Sequence, residues 1–361
     1  IRPSPDPALA QKIALEAAAP EGYLLSEGWS QEFSITHDGE VADLTADAKA
    51  LTDDVIRGGV RVEKDDLELG RSEAIGGKDH ASTEGACLAG IEFTITNESE
   101  NAVMVGGKLF DPGDVIEAIK TAWNEDLGAY VAETAADELP YGTYSIRETA
   151  TNESYLLTDG KARTFQVREE GAIVEASAEG AGLVFSDQVV RNDMELSKKA
   201  DDSNAAIQAA FLVTNTETGE AHVVVCDRNG DASTASGWNP HTRNTNGNDK
   251  LADADNIEAS EFDLSAGVWF GLGEDGSMAE PDDSLGAMPY GHYTLQELRA
   301  DSNAGYSLVE RELWIARDTT VARAAWMSLD DQPSEKIGTQ ASDAGDGDGY
   351  VDAAEQVTVK D

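Results

Sequence analysis

Short runs of alternating apolar and polar residues follow one another along this chain, and one run occurs twice. LPYGTYSIRET occupies residues 139–149 and MPYGHYTLQEL occupies residues 288–298. Each copy is a turn followed by an alternating segment, which is the pattern of a half-buried β-strand. Side chains two residues apart share a face of a strand. The pattern therefore places a glutamate, Glu148 or Glu297, on the apolar face of each strand.

The duplicated strand belongs to a longer internal repeat. FTITN at 93–97 returns as FLVTN at 211–215, and VIRGGVRVEKDD at 55–66 returns as VVRNDMELSKKAD at 189–201. The spacing between the copies is that of a whole domain rather than of a solenoid turn. The sequence therefore predicts tandem modules of the same fold.

A third, truncated copy opens the chain. Glu16 precedes the YLL run at 23–25 at the same spacing as Glu148 precedes YLL at 155–157. The expected division of the chain is the C-terminal part of a module at 1–57, complete modules at 58–191 and 192–335, and the start of a further β repeat at 336–361.

Composition favours an all-β fold. Runs of Thr, Val, Ile and Tyr are broken by many of the 34 glycines, which is typical of antiparallel sheets joined by turns. One helical segment is also expected at 114–123, where Val115, Ile119 and Ala122 would form an apolar stripe. The predicted architecture is a series of β-domains with little helix.

The net charge limits the possible partners. The chain has 26 Lys and Arg residues against 70 Asp and Glu residues, a formal charge of −44. Nucleic acid and anionic membrane surfaces are excluded as partners, because both require clustered basic residues. The acidic excess favours solubility and mutual repulsion on an exposed filament, and a halophilic origin would also fit it. No run of residues reaches transmembrane length.

Counting by two along other predicted strands places a lysine and an aspartate on the apolar faces of their strands, as it does each glutamate. In the first complete module, Val60 and Val62 are in phase with Lys64, and Phe185 is in phase with Asp187. A lysine and two carboxyl groups are costly to bury unless they pair or react. The sequence therefore predicts a buried group of Lys64, Glu148 and Asp187.

The second complete module repeats this pattern. Met194 and Leu196 are in phase with Lys198, while Met327 and Leu329 lead to Asp331. The expected group is Lys198, Glu297 and Asp331, with Asp330 as the alternative acceptor.

A covalent reaction is available to such a group. Burial lowers the pKa of a lysine and raises that of a carboxyl group, so the amine becomes a nucleophile and the carboxyl group an electrophile. Lys64 would attack Asp187 and lose water to form an amide, with Glu148 moving the proton. Lys198, Asp331 and Glu297 would do the same. The alternative is a buried salt bridge without a covalent bond.

The sequence resembles the Cna B-type, SpaA-like pilin domains of Gram-positive surface proteins. The resemblance is carried by the GxVxVxK strand, the PYGxYxLxE strand and the closing F-x-[ND]-Q strand, and it covers roughly residues 1–335. It implies immunoglobulin-like β-sandwiches in which an isopeptide bond joins the first and last strands. The insertion at 238–249 and the tail at 336–361 resemble actinobacterial sortase-anchored proteins with VaFE repeats. An extracellular, cell-wall-anchored location follows from the resemblance, with signal and sorting motifs outside this sequence.

The resemblance also assigns roles to the truncated copy. Glu16 would be its glutamate and Asp53 its acceptor, while the lysine-bearing strand would lie upstream of Ile1. The two complete modules depart from many family members, because their acceptor is Asp where Asn is common.

Two other functions stay open at this point. The insertion at 227–285 is a candidate site for a carbohydrate or a host matrix protein, with Trp238 and Trp269 as aromatic platforms. The third class is a secreted glycosidase with paired carboxylates, but so many acidic residues make such pairs inevitable. The favoured function is a structural stalk or adhesin with self-generated cross-links, which is not an enzyme with turnover and needs no cofactor.

Metal and thiol chemistry receive little support. Residues 344–355 resemble an EF-hand loop through Asp346, Asp348, Asp352 and Glu355, but no flanking helices are evident and an acidic turn is favoured. The five histidines show no ligand spacing and are expected at the surface or in loops. The two cysteines fall in different modules, which predicts no disulfide within a module.

Overall fold

The computed structural model shows a protein built from β-strands. It describes residues 11–16, 18–25, 30–35, 37–43, 52–78, 80, 82–175, 182–242, 246–317, 325–329 and 355–360. Within these ranges the helical elements are three short 3₁₀ turns, Asp249–Asp253, Ala259–Glu261 and Asp301–Asn303. The predicted all-β fold class is confirmed. No helix in the described part of the chain is long and apolar enough to cross a membrane.

The strands of the described residues are numbered in chain order. Those up to the end of the first complete module are β1 (Gln11–Leu15), β2 (Ser30–Ser34), β3 (Arg57–Asp66), β4 (Glu92–Asn97), β5 (Val103–Val105), β6 (Lys108–Phe110), β7 (Val115–Lys120), β8 (Ala122–Asn124), β9 (Ala129–Glu133), β10 (Leu139–Pro140), β11 (Gly142–Ala150), β12 (Tyr155–Leu156), β13 (Arg163–Val167), β14 (Ile173–Val174) and β15 (Val184–Val189). Those that follow are β16 (Arg191–Asn192), β17 (Met194–Lys199), β18 (Ala210–Asn215), β19 (Ala221–Val225), β20 (Asp231–Ser233), β21 (Met288–Pro289), β22 (Gly291–Leu298), β23 (Glu310–Arg317), β24 (Ala325–Leu329) and β25 (Glu355–Lys360).

The first complete module is a sandwich of two sheets. One has the strand order β12-β15-β3-β9-β8, with β10 and β14 also paired to β3, and the other has the order β13-β11-β4-β7. The core between them includes Val62, Phe93, Ile146 and Phe185, all of them fully buried. Alternate residues of β3 and β11 supply this core, because successive side chains of a strand point to opposite faces.

The helix expected at 114–123 is wrong, because this segment forms β7 and β8. Ile119 lies opposite Phe93 of β4 and points into the core. Val115 is 55% exposed, so the predicted helical stripe is not a buried face. The neighbouring strand β4 offers backbone pairing to a run rich in β-branched residues, and this pairing outweighs a short helical pattern.

The first and last strands of this module run side by side. β15 pairs with β3 in parallel, with Phe185 opposite Lys64 and Asp187 opposite Asp66. The segment bearing Asp187 thus lies directly next to the segment bearing Lys64.

The second module has a five-stranded sheet, β19-β18-β22-β23-β24, and a three-stranded sheet, β20-β17-β25, whose strand β25 comes from residues 336–361, the segment expected to begin a further repeat. Its core includes Leu196, Phe211 and Leu295. β24 pairs antiparallel with β23. β25 pairs in parallel with β17, and Val359 lies opposite Lys198.

The same backbone joint occurs before each complete module. The amide of Tyr141 donates to the carbonyl oxygen of Ile56 at 2.7 Å, and the amide of Tyr290 donates to that of Val190 at 2.7 Å. Both tyrosines belong to the repeated Pro-Tyr-Gly turn, and both acceptors precede an arginine at the module boundary. The repeated turn therefore holds the segment through which the chain enters each module.

Candidate functional site

Lys64 lies at the centre of a buried group in the first complete module. Its Nζ is 2.8 Å from Oε2 of Glu148 and 3.0 Å from Oδ2 of Asp187. All three side chains are fully shielded from solvent. The strands explain the arrangement, since β3 carries Lys64, β15 beside it carries Asp187, and β11 of the facing sheet carries Glu148. The structure thus brings together the three residues that strand phase selected.

The surroundings of this group are apolar. Phe185, which lies opposite Lys64 on β15, packs its ring edge against Phe93 with centroids 4.9 Å apart. Both rings are fully buried in the core cluster. A charge in such surroundings loses its hydration, so it is costly unless it is paired or hydrogen-bonded.

The pKa of Glu148 is raised to about 8, first by burial and then by its hydrogen bond with Asp187, while Lys64 acts in the opposite direction. Oε1 of Glu148 and Oδ2 of Asp187 are buried oxygens that receive no directed hydrogen bond from the described residues. One proton shared between the two carboxyl groups satisfies both oxygens. The site therefore holds a lysine beside two carboxyl groups, of which Glu148 retains its proton near neutral pH.

The other oxygen of Asp187 is held by Thr158. Oδ1 accepts a hydrogen bond from the backbone amide of Thr158 at 2.9 Å and one from its hydroxyl group at 3.0 Å. Sequence reasoning missed this residue. A signal was present, because a hydroxyl residue follows YLL both at Thr158 and at Ser26 of the truncated copy.

The second module repeats the lysine–glutamate contact. Nζ of Lys198 is 3.2 Å from Oε2 of Glu297, and both side chains are fully buried. Glu297 is fixed by Asn303, whose Nδ2 donates to Oε1 at 2.8 Å, and by the amide of Val309, which donates to Oε2 at 3.1 Å. The predicted acceptor Asp331 and its alternative Asp330 lie outside the described residues.

The truncated copy brings its two predicted residues together. The pKa of Asp53 is raised, first by burial and then by the charge and hydrogen bond of Glu16. Tyr23 pairs with Val55 as Tyr155 pairs with Val189 at the end of the next module. The fragment thus contains a glutamate–aspartate contact like that of Glu148 and Asp187.

The two tryptophans proposed as a ligand platform differ in their exposure to solvent. Trp269 is fully buried, donates its indole N–H to the carbonyl oxygen of Ala279 at 3.2 Å, and lies beneath the guanidinium of Arg191. Trp238 is 45% exposed. A paired aromatic surface made from both residues is therefore ruled out.

The expectation that the histidines lie at the surface or in loops is wrong for His222 and His292, which are buried in strands β19 and β22, while His241 lies in a loop and is also buried. His222 lies between two acids, with Nδ1 3.0 Å from Asp249 and Nε2 3.1 Å from Glu220. Burial lowers its pKa, but the hydrogen bonds and charges of Asp249 and Glu220 outweigh this and raise it to about 9. This ion pair ties the insertion to the edge strand β19.

Metal binding gains no support from the described residues, which contain no cluster of His, Cys, Asp and Glu arranged to hold an ion. Asp346, Asp348 and Asp352 of the candidate calcium loop lie outside the described residues, and Glu355 begins β25. Cys226 is buried and Cys87 partly buried, and both are free thiols.

Comparison with solved structures gives weak, low-identity similarities. The Bacillus anthracis TIE protein is 19% identical over 84% of this chain with a TM-score of 0.44, and this chain spans only 38% of it. A C-terminal fragment of the pilus adhesin SpaC from Lactobacillus rhamnosus GG is 13% identical over 84% of this chain and 95% of its own, with a TM-score of 0.35. A streptococcal ancillary pilin is 15% identical over 86% of this chain and 72% of its own, with a TM-score of 0.25.

Comparison with protein families gives a more specific result. No curated protein matches the chain significantly. The model of the SpaA domain, described as a prealbumin-like fold domain, matches residues 74–181. This range includes β4 to β14 and the glutamate of the first buried group. Residues 74–181 are therefore similar to the SpaA domain, a prealbumin-like fold domain.

Proposed function

We propose that this chain is a stalk or adhesin segment of a cell-wall-anchored surface protein whose modules lock themselves with Lys–Asp isopeptide bonds. The observation that carries the proposal is the complete burial of Lys64 between Glu148 and Asp187, at 2.8 and 3.0 Å. The match of residues 74–181 to the SpaA domain supports the pilin-like part of it.

The reaction joins Nζ of Lys64 to Cγ of Asp187 and releases Oδ2 as water. The ammonium group first gives a proton to the carboxyl pair, and the neutral amine then attacks Cγ. Of the two protons left on the amine, one stays as the amide N–H and the other passes through Glu148 to the protonated Oδ2, which leaves as water, and Glu148 ends in its initial protonation state. An ammonium and a carboxylate thus become an amide and one water, and no other reactant is required.

Burial favours this outcome over a permanent salt bridge. Removing two charges from water costs several kcal/mol for each ion, and their attraction does not always restore it. An amide carries no charge, so the bond removes this cost from the folded module. The amine nitrogen also lies 3.0 Å from Oδ2, which is bonded to the carbon Cγ that it attacks.

The same reaction is proposed for the second module, with Lys198 as nucleophile, Glu297 as proton carrier and Asp331 as acceptor, or Asp330 in its place. β25 places Val359 opposite Lys198 as β15 places Phe185 opposite Lys64. Asp361 then stands at the sequence position that corresponds to Asp187. Mapping of the cross-linked peptides must therefore distinguish all three aspartates.

Intact mass tests the proposal directly. A chain with both bonds is lighter than its sequence by two waters, and Glu148→Ala or Glu297→Ala should each restore one water after allowing for the substitution. Lys64→Ala and Lys198→Ala should do the same. Thr164→Val, on the exposed side of β13, is a matched control that keeps both bonds. An unmodified wild-type mass would refute the cross-linking function.

A ligand-binding role for the insertion at 227–285 is the alternative. Trp238 and Leu264 are both 45% exposed there, which leaves apolar surface available for a glycan or a host protein. Glycan-array and matrix-protein binding of the wild type and of Trp238→Ala test this role. Binding that is lost in the variant supports it, and a wild type that binds neither class of partner excludes it.

A further inference from the structure

We propose that Thr158 is a catalytic residue of the first module, which stabilises the negative charge that develops on Oδ1 of Asp187 during amide formation. This inference rests on the proposed cross-linking function and assigns a role within it. It is drawn from the hydrogen bonds that divide the two oxygens of Asp187 between different partners.

The two oxygens of Asp187 have separate environments. Oδ2 faces the reactants, 3.0 Å from Nζ of Lys64. Oδ1 faces Thr158, with the amide nitrogen at 2.9 Å and the hydroxyl oxygen at 3.0 Å. Oδ2 is therefore the oxygen that leaves, and Oδ1 is the oxygen that becomes the carbonyl of the amide.

Charge develops on Oδ1 when the amine adds to Cγ. The tetrahedral intermediate carries that charge until water leaves and the C=O bond forms again. Two donors already directed at this oxygen form an oxyanion hole, which stabilises the intermediate more than the starting carboxyl group. The hydrogen bonds also draw electron density from Cγ and make it a better electrophile.

The hydroxyl group of Thr158 is oriented for this role. Its oxygen accepts a hydrogen bond from the amide of Gln188 at 3.2 Å. Of the three acceptors in its reach, Oδ1 of Asp187 is the nearest at 3.0 Å, followed by the carbonyl oxygens of Ser186 at 3.1 Å and Leu156 at 3.3 Å. Accepting from Gln188 leaves the hydroxyl proton available to Asp187.

The second module has a different arrangement at this position. Val309 follows Tyr306 at the spacing at which Thr158 follows Tyr155. Valine has no hydroxyl group, and its amide donates to Glu297. The cross-link of Lys198 therefore does not use this hydroxyl group and serves as an internal reference in the same chain.

Thr158→Val tests the hydroxyl group with little change in shape. Thr158 lies at an exposed position, so valine should be tolerated by the fold. Removing one donor of an oxyanion hole slows reactions by about 100–1,000-fold. Because the amide donor remains and water can replace the hydroxyl group at this exposed position, we expect a slowing on the order of tenfold. Thr158→Ser should restore the rate.

The experiment uses the full chain made by cell-free synthesis and stopped in acid at successive times. Peptide mass spectrometry then follows the Lys64–Asp187 and Lys198 cross-links separately, and circular dichroism confirms that each variant folds. The expected result is a slower Lys64–Asp187 bond in Thr158→Val, a normal rate in Thr158→Ser and in Thr164→Val, and an unchanged Lys198 bond in all of them.

Three results would overturn the inference. They are an unchanged rate in Thr158→Val, an equal loss in Thr158→Ser, and an equal slowing of both cross-links, which would indicate a general folding defect. A wild-type chain without any cross-link would instead overturn the proposed function, and this inference with it.

Discussion

Arg57 and Arg191 occupy the same place in successive repeats. Each guanidinium donates a hydrogen bond to the carbonyl oxygen of the residue just before the Leu-Pro-Tyr-Gly or Met-Pro-Tyr-Gly turn, namely Glu138 at 2.7 Å and Ala287 at 3.1 Å. Together with the tyrosine amides of these turns, the two arginines fix the segment through which the chain enters each module. The repeated turn thus has a joining role in addition to leading into the glutamate strand.

Replacing Arg191 should loosen the joint before the second module. Arg191 binds Glu68 through two nitrogens, at 2.7 and 2.9 Å, and lies 3.8 Å from the centre of the Trp269 ring. Arg191→Met leaves Glu68 without its partner in a largely buried place, which typically costs about 3–5 kcal/mol. Hydrogen exchange should become faster in residues 268–287 and in the turn at 67–70.

The double variant Glu68→Gln/Arg191→Met separates the effect of the unpaired charge on Glu68 from the effect of the lost packing of Arg191. It should recover part of the lost protection, because it removes the uncompensated carboxylate. Equal exchange in the wild type and in Arg191→Met would show that the joint does not depend on this arginine.

Glu148→Gln should leave the first module without its cross-link. The amide of glutamine keeps the shape of the side chain but cannot carry the proton. A bond between Lys64 and Asp187 closes a loop of roughly 120 residues, which corresponds to about 4–5 kcal/mol in the chain-entropy description of cross-links. Urea unfolding followed by exchange in β3 and β15 should show a loss of this size. Glu297→Gln is the matched control, and it should spare the first module.

Asp187→Asn should still form the bond but release ammonia in place of water. Thr158 holds Oδ1, so the amide nitrogen of asparagine would take the position of Oδ2 next to Glu148 and become the leaving group. Intact mass distinguishes the two products, because the variant loses one ammonia from its first module. An asparagine variant that stays unlinked would contradict the assignment of the leaving atom.

The second module should lose stability as pH rises through about 9. His222 has a pKa of about 9 in the folded protein, above its ordinary value of 6.5. Its ion pairs with Asp249 and Glu220 therefore stabilise the fold fully below about pH 6.5 and fade as the folded-state histidine loses its proton, an effect of about 3 kcal/mol. Urea unfolding between pH 6 and 10 measures the slope. His222→Gln should remove this component, and an equal slope in both proteins would contradict it.

The sequence predicted the parts of the site that depend on strand period. Lys64, Glu148 and Asp187 were selected because each follows apolar residues at intervals of two, and a β-strand preserves that period wherever it lies. Thr158 escaped this reasoning because it is exposed and follows a two-residue strand. Its role depends on the pairing of β12 with β15, which no local pattern encodes.

The wrong helix prediction at 114–123 and the unexpected burial of His222 also result from contacts that no local pattern encodes. The run at 114–123 fits both a helical stripe and a strand, and only the presence of β4 decides between them. His222 is buried because the insertion places Asp249 against β19, and Trp269 of the insertion is buried beneath Arg191 at the module boundary. Contacts between segments far apart in sequence determine these positions.

The place of the first buried group near the ends of β3 and β15 has a consequence for extension. With Lys64 bonded to Asp187, a pulled chain passes from β3 directly into the last residues of β15. The roughly 120 residues between them would span on the order of 400 Å if fully extended. In a module with this bond, the residues between Lys64 and Asp187 cannot extend along the pulling direction even when the sheets separate. The distance between the two ends of the module therefore stays nearly constant under tension.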